Sequence, residues 1–364
     1  MLFENKKIIF FSRNLKIGGM EKALINLLNN LGPDKNQITL ILESKSGELL
    51  EYLNPNIRVK EYRLSKCKIA LIRKTINFLH RLIWSFFNFH RYDFSCNYAT
   101  YMTVGSKLAA ISSKNSSLYV HSDYYNYFSR DEKKVKDFFY MQGVTYLKNI
   151  IFVSNEAMNG IKEILPEFSY KFSVIGNLID FSNIELLSGE DVKEKKSQKE
   201  LILFVGRLEE SSKRLSRLIE SFKRVCEKSD DYELWIVGDG ADYSFCKELI
   251  EKHSLISKVK MLGAKVNPYP YIKIADCVIL TSDFEGFPVV YDDCLVLKTP
   301  IITTIPVSDE FLDVRKFALI TEKDSKNISN AILEAKYKNI NFEFSDIDTI
   351  NKNMLDSLKK IILN

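Results

Sequence analysis

Short apolar runs alternate with helical patterns along this chain, and they do so in two separate series. The first series has strand candidates at 6–12, 38–42, 118–121, 150–154 and 172–175. The second series has them at 201–205, 233–237, 259–262, 277–281 and 301–304. Because short buried strands that alternate with helices form parallel sheets, we predict an α/β protein with two Rossmann-like domains. A length of 364 residues suits two domains better than a single core.

The stretch 183–200 separates the two series and is polar, charged and without strong apolar periodicity. We interpret it as a linker between an amino-terminal domain at 1–182 and a carboxyl-terminal domain at 201–345. The last segment, 346–364, has apolar residues at the spacing of an amphipathic helix. We expect this terminal helix to pack back on the amino-terminal domain.

The composition excludes several classes of protein. Hydrophobic residues make up 46% of the chain and charged residues 27%, which is typical of a folded protein rather than a disordered one. Six cysteines without a CxxC pair, and only four histidines, argue against a zinc site or a disulfide framework. The amino terminus lacks the long apolar region of a secretory signal, so we expect a cytoplasmic protein.

Positive charge is concentrated in the first half of the chain, where residues 1–180 carry a formal charge of +9 against −4 for the rest. Within 58–92, nine Lys or Arg residues and one acid are interleaved with aliphatic and aromatic residues. This pattern predicts a basic helix that can lie on an anionic membrane surface, while its charges interrupt it too often for a spanning segment. The alternative is an ordinary helix that packs its apolar face on the sheet. No nucleic-acid motif accompanies the charge, so nucleic-acid binding is not expected.

Five motifs follow one another along the chain. They are GGME at 18–21, IGNLID at 175–180, VGRL with a following Lys at 205–213, IVGDG at 236–240 and SDFEGFP at 282–288. In sequence and in order they resemble the retaining glycosyltransferases of family 4. The resemblance implies the GT-B fold, in which two Rossmann-like domains with parallel sheets face each other across a cleft. It also implies that the amino-terminal domain binds the acceptor and the carboxyl-terminal domain binds the donor.

The same resemblance implies a hexosyltransferase that takes a sugar from a nucleotide-sugar, expected to be a UDP-sugar, with retention of configuration. The segment 266–276 (VNPYPYIKIAD) further resembles members found in bacterial capsule and cell-wall polysaccharide pathways. We therefore expect a lipid-linked saccharide acceptor. An enzyme acting on it would be peripheral on the inner face of the cell membrane.

Arg207 and Lys213 are candidates for a diphosphate site. Arg207 follows a predicted strand and Lys213 stands where the next helix is expected to begin, so both can point at an anion beside a helix amino terminus. Negative charge builds on the diphosphate as it leaves the sugar, and a fixed pair of cations stabilises it. With no convincing paired-aspartate metal site at a strand end, we expect transfer without a metal ion or other cofactor. The alternative is a solvated Arg and Lys near a turn.

A loop before a predicted helix is the second part of the site. The loop comprises Glu285, Gly286, Phe287 and Pro288. Pro is tolerated at a helix start, so the loop presents its carboxylate at the mouth of the helix. The resemblance implies that Glu285 contacts the donor sugar and that the residue eight positions later, Asp293, holds the ribose. The family has Glu at that later position, so the contact could pass partly to Asp292; alternatively, both Asp residues solvate one helix face.

The amino-terminal half supplies two further candidates. Gly19 belongs to a turn in which backbone amides can approach a substrate closely, and Glu21 follows in the first helical turn, where it could equally be a helix-capping group. His121 ends a predicted strand, at a position where the family often places a His near the reacting sugar. The alternative for His121 is a structural histidine.

Other activities on the same architecture remain open at this point. A sugar-nucleotide epimerase shares the fold, and a phosphorylase would need a pyridoxal-binding lysine that the sequence does not identify. A non-catalytic partner subunit would keep the fold without turnover, and the shorter side chain at Asp293 gives that alternative some support.

Overall fold

The computed structural model describes residues 3–102, 104–334 and 347–364. The chain divides into two compact units, one formed by Met1–Leu178 with Asn351–Asn364 and the other by Ile179–Ile350. The first unit therefore ends four residues before the expected domain boundary at 182. The expected boundary at 345/346 lies outside the described residues.

The first unit contains a parallel sheet of seven strands. The strands are β1 (Lys7–Ser12), β2 (Gln37–Leu42), β3 (Arg58–Glu61), β4 (Phe94–Asn97), β5 (Ser116–Val120), β6 (Asn149–Phe152) and β7 (Phe172–Val174). Their order is β3-β2-β1-β4-β5-β6-β7, and every neighbouring pair is parallel. The central strands are buried because helices cover both faces of such a sheet.

Helices connect these strands. They are α1 (Gly19–Asn30), α2 (Ala70–Asn88), α3 (Gly105–Ser112), α4 (Tyr124–Tyr127), α5 (Glu132–Met141) and α6 (Asn155–Ile164). None of the nineteen residues of the long helix α2 is buried. Among the described residues, no helix combines the length and the apolar character that crossing a bilayer requires.

The second unit repeats the architecture with six parallel strands. They are β8 (Glu200–Val205), β9 (Tyr232–Val237), β10 (Val259–Gly263), β11 (Cys277–Leu280), β12 (Ile301–Thr303) and β13 (Leu319–Ile320), in the order β10-β9-β8-β11-β12-β13. The helices are α7 (Phe181–Leu187), α8 (Glu210–Lys213), α9 (Leu215–Cys226), α10 (Tyr243–Lys252), α11 (Tyr269–Ile274), α12 (Val289–Leu297) and α13 (Ser325–Leu333). Two Rossmann-like domains with parallel sheets are thus present, as predicted.

The segment expected to be a linker begins with a helix. Most of α7 lies within 183–200, and it contacts α11 and α12 of the second unit. Ile184 is buried in this contact. The prediction missed the helix because seven residues with one buried apolar side chain are too few to show helical periodicity.

The last helix of the chain is α14 (Ile347–Leu363), and its residues from Asn351 onward belong to the first unit. Met354, Leu358 and Ile362 are buried there. The Nδ2 of Asn115 donates a hydrogen bond to the carbonyl oxygen of Ile361 at 2.6 Å. The spacing of the apolar residues in the sequence matches these buried positions.

Two glycine turns bring the loops after β8 and β9 into backbone contact. A Cβ added to Gly238 would lie 1.9 Å from the carbonyl oxygen of Gly206, and one added to Gly240 would lie 2.3 Å from that of Leu208. Leu208 N–H also donates to the carbonyl oxygen of Asp239 at 3.0 Å. The close approach explains why glycine stands at both positions.

We expect Gly238→Ala to destabilise the second unit by about 2 kcal/mol or more, since backbone rather than a movable side chain blocks the new methyl group. Gly263→Ala is the matched control. Gly263 also has a positive φ, of 69°, but nothing lies within 4 Å of its added Cβ. Urea denaturation of both variants checks the prediction, and equal losses in the two variants would contradict it.

Candidate functional site

Lys213 and Glu285 form an ion pair at the carboxyl edge of the second sheet. Lys213 ends α8, and Glu285 lies in the loop between β11 and α12. The Nζ of Lys213 donates a hydrogen bond to Oε1 of Glu285, and the hydroxyl of Ser282 donates to the same oxygen at 2.6 Å. Both charged side chains are less than one-fifth exposed, at 17% and 14%. The pair is therefore shielded from bulk water more than an ordinary surface ion pair.

Hydrogen bonds and ion pairs tie the loop after β11 to the corner between α8 and α9. The hydroxyl of Thr281 donates to the carbonyl oxygen of Lys213 at 2.9 Å, and the N–H of Asp283 donates to that of Ser212 at 2.8 Å. Arg217 spans the junction, because one nitrogen donates to the carbonyl oxygen of Thr281 and another pairs with Asp283, each at 2.7 Å. These contacts hold the backbone of Lys213 next to the loop that carries Glu285.

Arg214 adds a second cation to this junction. Its backbone has the left-handed conformation, with φ 56°, where the chain turns from α8 into α9. Its guanidinium pairs with Asp283 at 2.6 Å. The sequence motifs predicted no role for Arg214, Arg217 or Asp283. These three charged residues lie close to Lys213 or Glu285 in the sequence, and that proximity is the signal that could have marked them as part of the site.

Arg207 lies two residues after β8 and is exposed. The side chain of Lys213 lies close to Gly206, the residue before Arg207. Its Cε would be 3.8 Å from a Cβ added to Gly206. Because β8 and β11 are neighbouring parallel strands, the loops that carry Arg207 and Glu285 leave the same edge of the sheet. One expectation needs correction: Lys213 ends the short helix α8 rather than beginning a helix, and α9 starts two residues later.

The predicted ribose residues lie on α12 and are buried. Asp292 is 2% exposed and Asp293 is 4% exposed, so the alternative that they solvate a helix face is wrong. Neither carboxylate oxygen of Asp292 has a hydrogen-bond partner among the described residues. Burial, together with the neighbouring carboxylates of Asp293 and Asp309, raises the pKa of Asp292 well above its ordinary value. Burial therefore disfavours the charged form of this carboxyl group.

The residues between Glu285 and α12 turn inward. Gly286, Phe287 and Pro288 are all buried, and the ring of Phe287 packs edge-on against Tyr291 at 6.0 Å. The hydroxyl of Tyr291 in turn donates to the carbonyl oxygen of Ile305 at 2.9 Å. Phe287 thus anchors the loop to the core, and its side chain serves packing.

In the first unit, His121 directly follows β5 and packs among aromatic rings. Its ring lies 4.3 Å from that of Tyr98 and stacks on Tyr119 at 4.8 Å. Part of the residue is exposed, but Nε2 is shielded and has no hydrogen-bond partner in the described part of the chain. Burial lowers the pKa of His121 to about 3, so the imidazole is neutral near pH 7.

The glycine turn before α1 holds a carboxylate. Glu21 is buried, and the hydroxyl of Tyr101 donates to its Oε1 at 2.6 Å. Its Oε2 would lie 2.2 Å from a Cβ added to Gly18, so a side chain at position 18 would displace the carboxylate. Gly19 is the exposed first residue of α1. The carboxylate of Glu21 is thus held by a side chain from outside its own helix.

The second unit therefore assembles Lys213, Glu285 and Ser282 with the exposed Arg207 at one sheet edge. Residues 189–339 match the family of glycosyl transferases group 1, and all these residues lie within that range. This part of the chain is thus similar to the group 1 glycosyl transferases. The match covers the second unit of the structure and none of the first sheet.

Curated relatives resemble parts of the chain. An uncharacterized glycosyltransferase of Methanocaldococcus jannaschii is 31% identical over 163 residues, which are 44% of this chain and 40% of that protein. The N-acetylgalactosamine-N,N'-diacetylbacillosaminyl-diphospho-undecaprenol 4-alpha-N-acetylgalactosaminyltransferase of Campylobacter jejuni is 29% identical over 193 residues, 52% of this chain and 51% of that protein. The chain thus matches about half the length of these relatives or less.

Solved structures with the GT-B fold resemble this chain over nearly its whole length. Anabaena HepE in complex with UDP-glucose has a TM-score of 0.72 at 16% identity, with 98% of this chain and 100% of that chain covered. Staphylococcus aureus TarM in complex with UDP, among other ligands, has a TM-score of 0.70 at 12% identity, covering 99% and 100%. At such identities the likeness concerns the fold alone.

The neutral state of His121 predicts a pH dependence of stability. The unfolded chain binds a proton on this histidine near pH 6.5, whereas the folded protein binds it only near pH 3. The free energy of unfolding should therefore fall as pH drops below about 6.5, by at most about 1.4 kcal/mol per pH unit from this group. We expect His121→Gln to flatten that slope in urea denaturation between pH 7.5 and 5. His90→Asn, at an exposed histidine, is the control and should leave the slope unchanged.

Proposed function

We propose that this chain is a retaining glycosyltransferase that moves a hexosyl group from a UDP-sugar to a lipid-linked saccharide in bacterial surface polysaccharide biosynthesis. The observation that carries the proposal is the shielded Lys213–Glu285 pair, beside Arg207 and inside the part of the chain that is similar to the group 1 glycosyl transferases. Relatives support the substrates: one is named as acting on a diphospho-undecaprenol saccharide, another as a capsular polysaccharide glycosyltransferase of Staphylococcus aureus. The UDP complexes of HepE and TarM favour UDP.

Lys213 and Arg207 would stabilise the departing diphosphate. The bond between the anomeric carbon and the diphosphate oxygen breaks, and its electron pair leaves with the UDP. The acceptor hydroxyl oxygen forms the new bond to the anomeric carbon, and its proton passes to the diphosphate. In this proposal retention follows because attack and departure occur on the same face of the sugar. Fixed cations supply the stabilisation without a metal ion or other cofactor.

Glu285 has two roles in this proposal. Without donor, its carboxylate balances the charge of Lys213 and keeps the ammonium at the sheet edge. When a diphosphate binds, Lys213 has a second, more highly charged anion within reach, and Glu285 becomes available to accept hydrogen bonds from hydroxyls of the donor sugar. Ser282, which donates to Glu285, keeps the carboxylate oriented during that exchange.

Asp293 is assigned to the ribose. It stands eight residues after Glu285, in the second turn of α12. A ribose diol donates hydrogen bonds, and an ionised carboxylate accepts them. Burial and the neighbouring carboxylates raise the pKa of Asp292, which makes Asp292 the poorer acceptor. We therefore assign this contact to Asp293 rather than to Asp292.

The acceptor is assigned to the first unit. The neutral imidazole of His121 can exchange hydrogen bonds with a sugar hydroxyl without the charge that would repel the developing cation at the anomeric carbon. The amide of Gly19 stands exposed at the start of α1. Gly19 follows β1 and His121 follows β5, and both strands are neighbours of β4 in the parallel sheet. Both groups therefore lie at the carboxyl edge of the first sheet.

We expect Lys213→Ala to lower the rate of sugar transfer by about 10²- to 10³-fold and to weaken UDP binding, because the diphosphate loses its shielded cation. The measurements are acceptor-dependent UDP release with a panel of UDP- and GDP-sugars, and calorimetric titration with UDP. Lys247→Ala, an exposed lysine on α10, removes the same charge and should change neither.

Two outcomes would contradict the assignment. Unchanged kinetics in Lys213→Ala would remove Lys213 from the diphosphate site. Wild-type protein that binds UDP but never releases it from a UDP-sugar would instead indicate the non-catalytic partner subunit. The double variant Lys213→Ala/Glu285→Gln removes both charges of the pair. It shows whether a loss of activity in the single variant comes from an unpaired Glu285 rather than from the missing cation.

The helix α2 is the part of this proposal that brings the enzyme to its lipid-linked acceptor. Large apolar side chains on it are exposed, including Leu71 at 75% and Phe86 at 83%. Arg73 and Lys74 are exposed beside them. An exposed apolar face flanked by positive charge complements an anionic bilayer, on which the helix can lie in the plane of the interface. We assign α2, with the basic segment 58–92, to the inner face of the cell membrane.

We expect Arg73→Glu/Lys74→Glu to release the protein from vesicles that contain one-third phosphatidylglycerol, measured by co-sedimentation at low salt. Lys133→Glu/Lys136→Glu makes the same charge change on α5 of the same unit and should leave binding intact. If the α2 variant stays bound while its circular dichroism is unchanged, another surface makes the contact.

A further inference from the structure

A turn after β4 presents one aromatic ring to solvent. The turn comprises residues 98–102 and begins directly after the carboxyl end of the strand. Tyr98, Ala99, Thr100 and Met102 are at most 5% exposed, whereas Tyr101 is 41% exposed. Packing in the core therefore does not account for the aromatic side chain at position 101.

Buried hydrogen bonds fix the backbone of this turn. Gln142 is 2% exposed, and its Nε2 donates to the carbonyl oxygen of Thr100 at 2.6 Å. The hydroxyl of Thr100 is hydrogen-bonded to that of Tyr124. Because both partners of Thr100 come from other segments of the first unit, the fold sets the position of Tyr101 before any ligand arrives.

The side chain of Tyr101 is held at its hydroxyl end. The hydroxyl donates a hydrogen bond to Oε1 of Glu21 at 2.6 Å, and Glu21 is 8% exposed. The other oxygen of that carboxylate lies against Gly18, where an added Cβ would be 2.2 Å away. With its hydroxyl engaged, Tyr101 offers a ligand mainly the apolar surface of its ring. Contact with a ring that is already held costs little side-chain entropy.

Tyr101 lies at the sheet edge to which the acceptor is assigned. The strands β1, β4 and β5 are consecutive neighbours in the parallel sheet, and Glu21 follows the first, Tyr101 the second and His121 the third. The ring of Tyr98 lies 4.3 Å from that of His121. Burial raises the pKa of Tyr98 well above its ordinary value, and Glu21 and Tyr101 are among the smaller contributions in the same direction. Glu21, Tyr101 and His121 are thus all close to one buried ring.

The chemistry of this arrangement suits a sugar ring. A pyranose has a face of C–H bonds, which packs on the negative face of an aromatic ring, and a rim of hydroxyls, which form hydrogen bonds with polar groups nearby. A hydrocarbon chain would leave those polar groups without partners. A sugar acid would bring its own negative charge towards the carboxylate of Glu21. The arrangement therefore favours an uncharged sugar.

We propose that the exposed ring of Tyr101 is a stacking platform for an uncharged pyranose, the acceptor sugar that carries the reacting hydroxyl. Identifying this pyranose with the acceptor rests on the proposed function, whereas the stacking itself needs only the first unit. Tyr101 supplies the contact with the face of the sugar, and Glu21 beside it selects a neutral sugar over a sugar acid.

Saturation-transfer NMR with the full chain and methyl glycosides tests the platform. The methyl β-glycosides of glucose, galactose and their N-acetylamino counterparts should bind the wild type. Tyr101→Leu should raise their dissociation constants about five- to tenfold, because a branched aliphatic side chain has no flat face. Tyr101→Phe keeps the ring and should stay within about twofold of the wild type. Tyr170→Leu is the matched control, since Tyr170 is 80% exposed and lies two residues before β7, towards the opposite edge of the sheet.

Three outcomes would overturn the platform. One is an absence of saturation transfer from the wild type to every neutral glycoside. Another is a loss in Tyr101→Phe as large as that in Tyr101→Leu, which would place the effect in the hydrogen bond to Glu21 rather than in the ring. The third is binding of uridine that weakens in Tyr101→Leu while glycoside binding does not, which would make the ring a nucleobase site.

The selection of neutral sugars has its own comparison. Methyl β-D-glucuronide differs from the glucoside only at C6, where a carboxylate replaces the hydroxymethyl group. It should bind about fivefold more weakly than the glucoside, and the difference should shrink in Glu21→Gln. Equal or tighter binding of the glucuronide by the wild type would show that Glu21 does not select against charge.

Failure of the platform and failure of the proposed function give different results. If the wild type transfers sugar to a glycoside and Tyr101→Leu leaves the KM for that glycoside unchanged, the proposed function holds and the platform is wrong. If the glycosides bind through Tyr101 but no nucleotide-sugar is turned over, the platform holds and the proposed function is wrong.

Discussion

The site in the second unit depends on the tether between the loop after β11 and the corner that joins α8 to α9. Lys213 and Glu285 stand seventy-two residues apart in the sequence, and their pair forms because backbone and side-chain contacts at Thr281 and Asp283 bring the two segments together. A long lysine side chain alone would sample many rotamers. With its backbone fixed at a turn and its ammonium paired, it loses little further entropy on binding a diphosphate.

Charge balance around this tether has a further consequence. Arg214 and Arg217 are both committed to Asp283, while Lys213 is committed to Glu285, so each buried or half-buried cation has an acid beside it. Arg207 differs in being exposed. Under the proposed function, an incoming diphosphate would meet one cation that is already accessible and one that must exchange its partner. That exchange would make the carboxylate of Glu285 available only when the donor is present, and it would couple donor binding to the assembly of the site.

Sequence patterns located the strands that contain several apolar residues and missed others, among them β3 and β4. β3 is an edge strand whose residues are mostly charged, and β4 is four residues long with buried polar side chains at Ser95 and Asn97, so neither shows an apolar run. The motifs contain both Lys213 and Glu285, which the structure brings together in one ion pair. Asp283 and Arg217 lie near them in the sequence, but their roles arise from contacts between distant segments, which the motifs do not describe.

For the helix α2, the composition of the sequence left two possibilities that only a structure distinguishes. A basic, aromatic segment in this fold could have packed its apolar stripe on the sheet, which was the alternative to membrane contact. In the structure only part of the stripe approaches the sheet, through Trp84, while no residue of the helix is buried. Leaving so many apolar side chains in water is unfavourable for a folded domain, and the basic residues beside them do not reduce that cost. The membrane contact that we propose for α2 would remove that cost, because the exposed apolar side chains would then lie in the lipid.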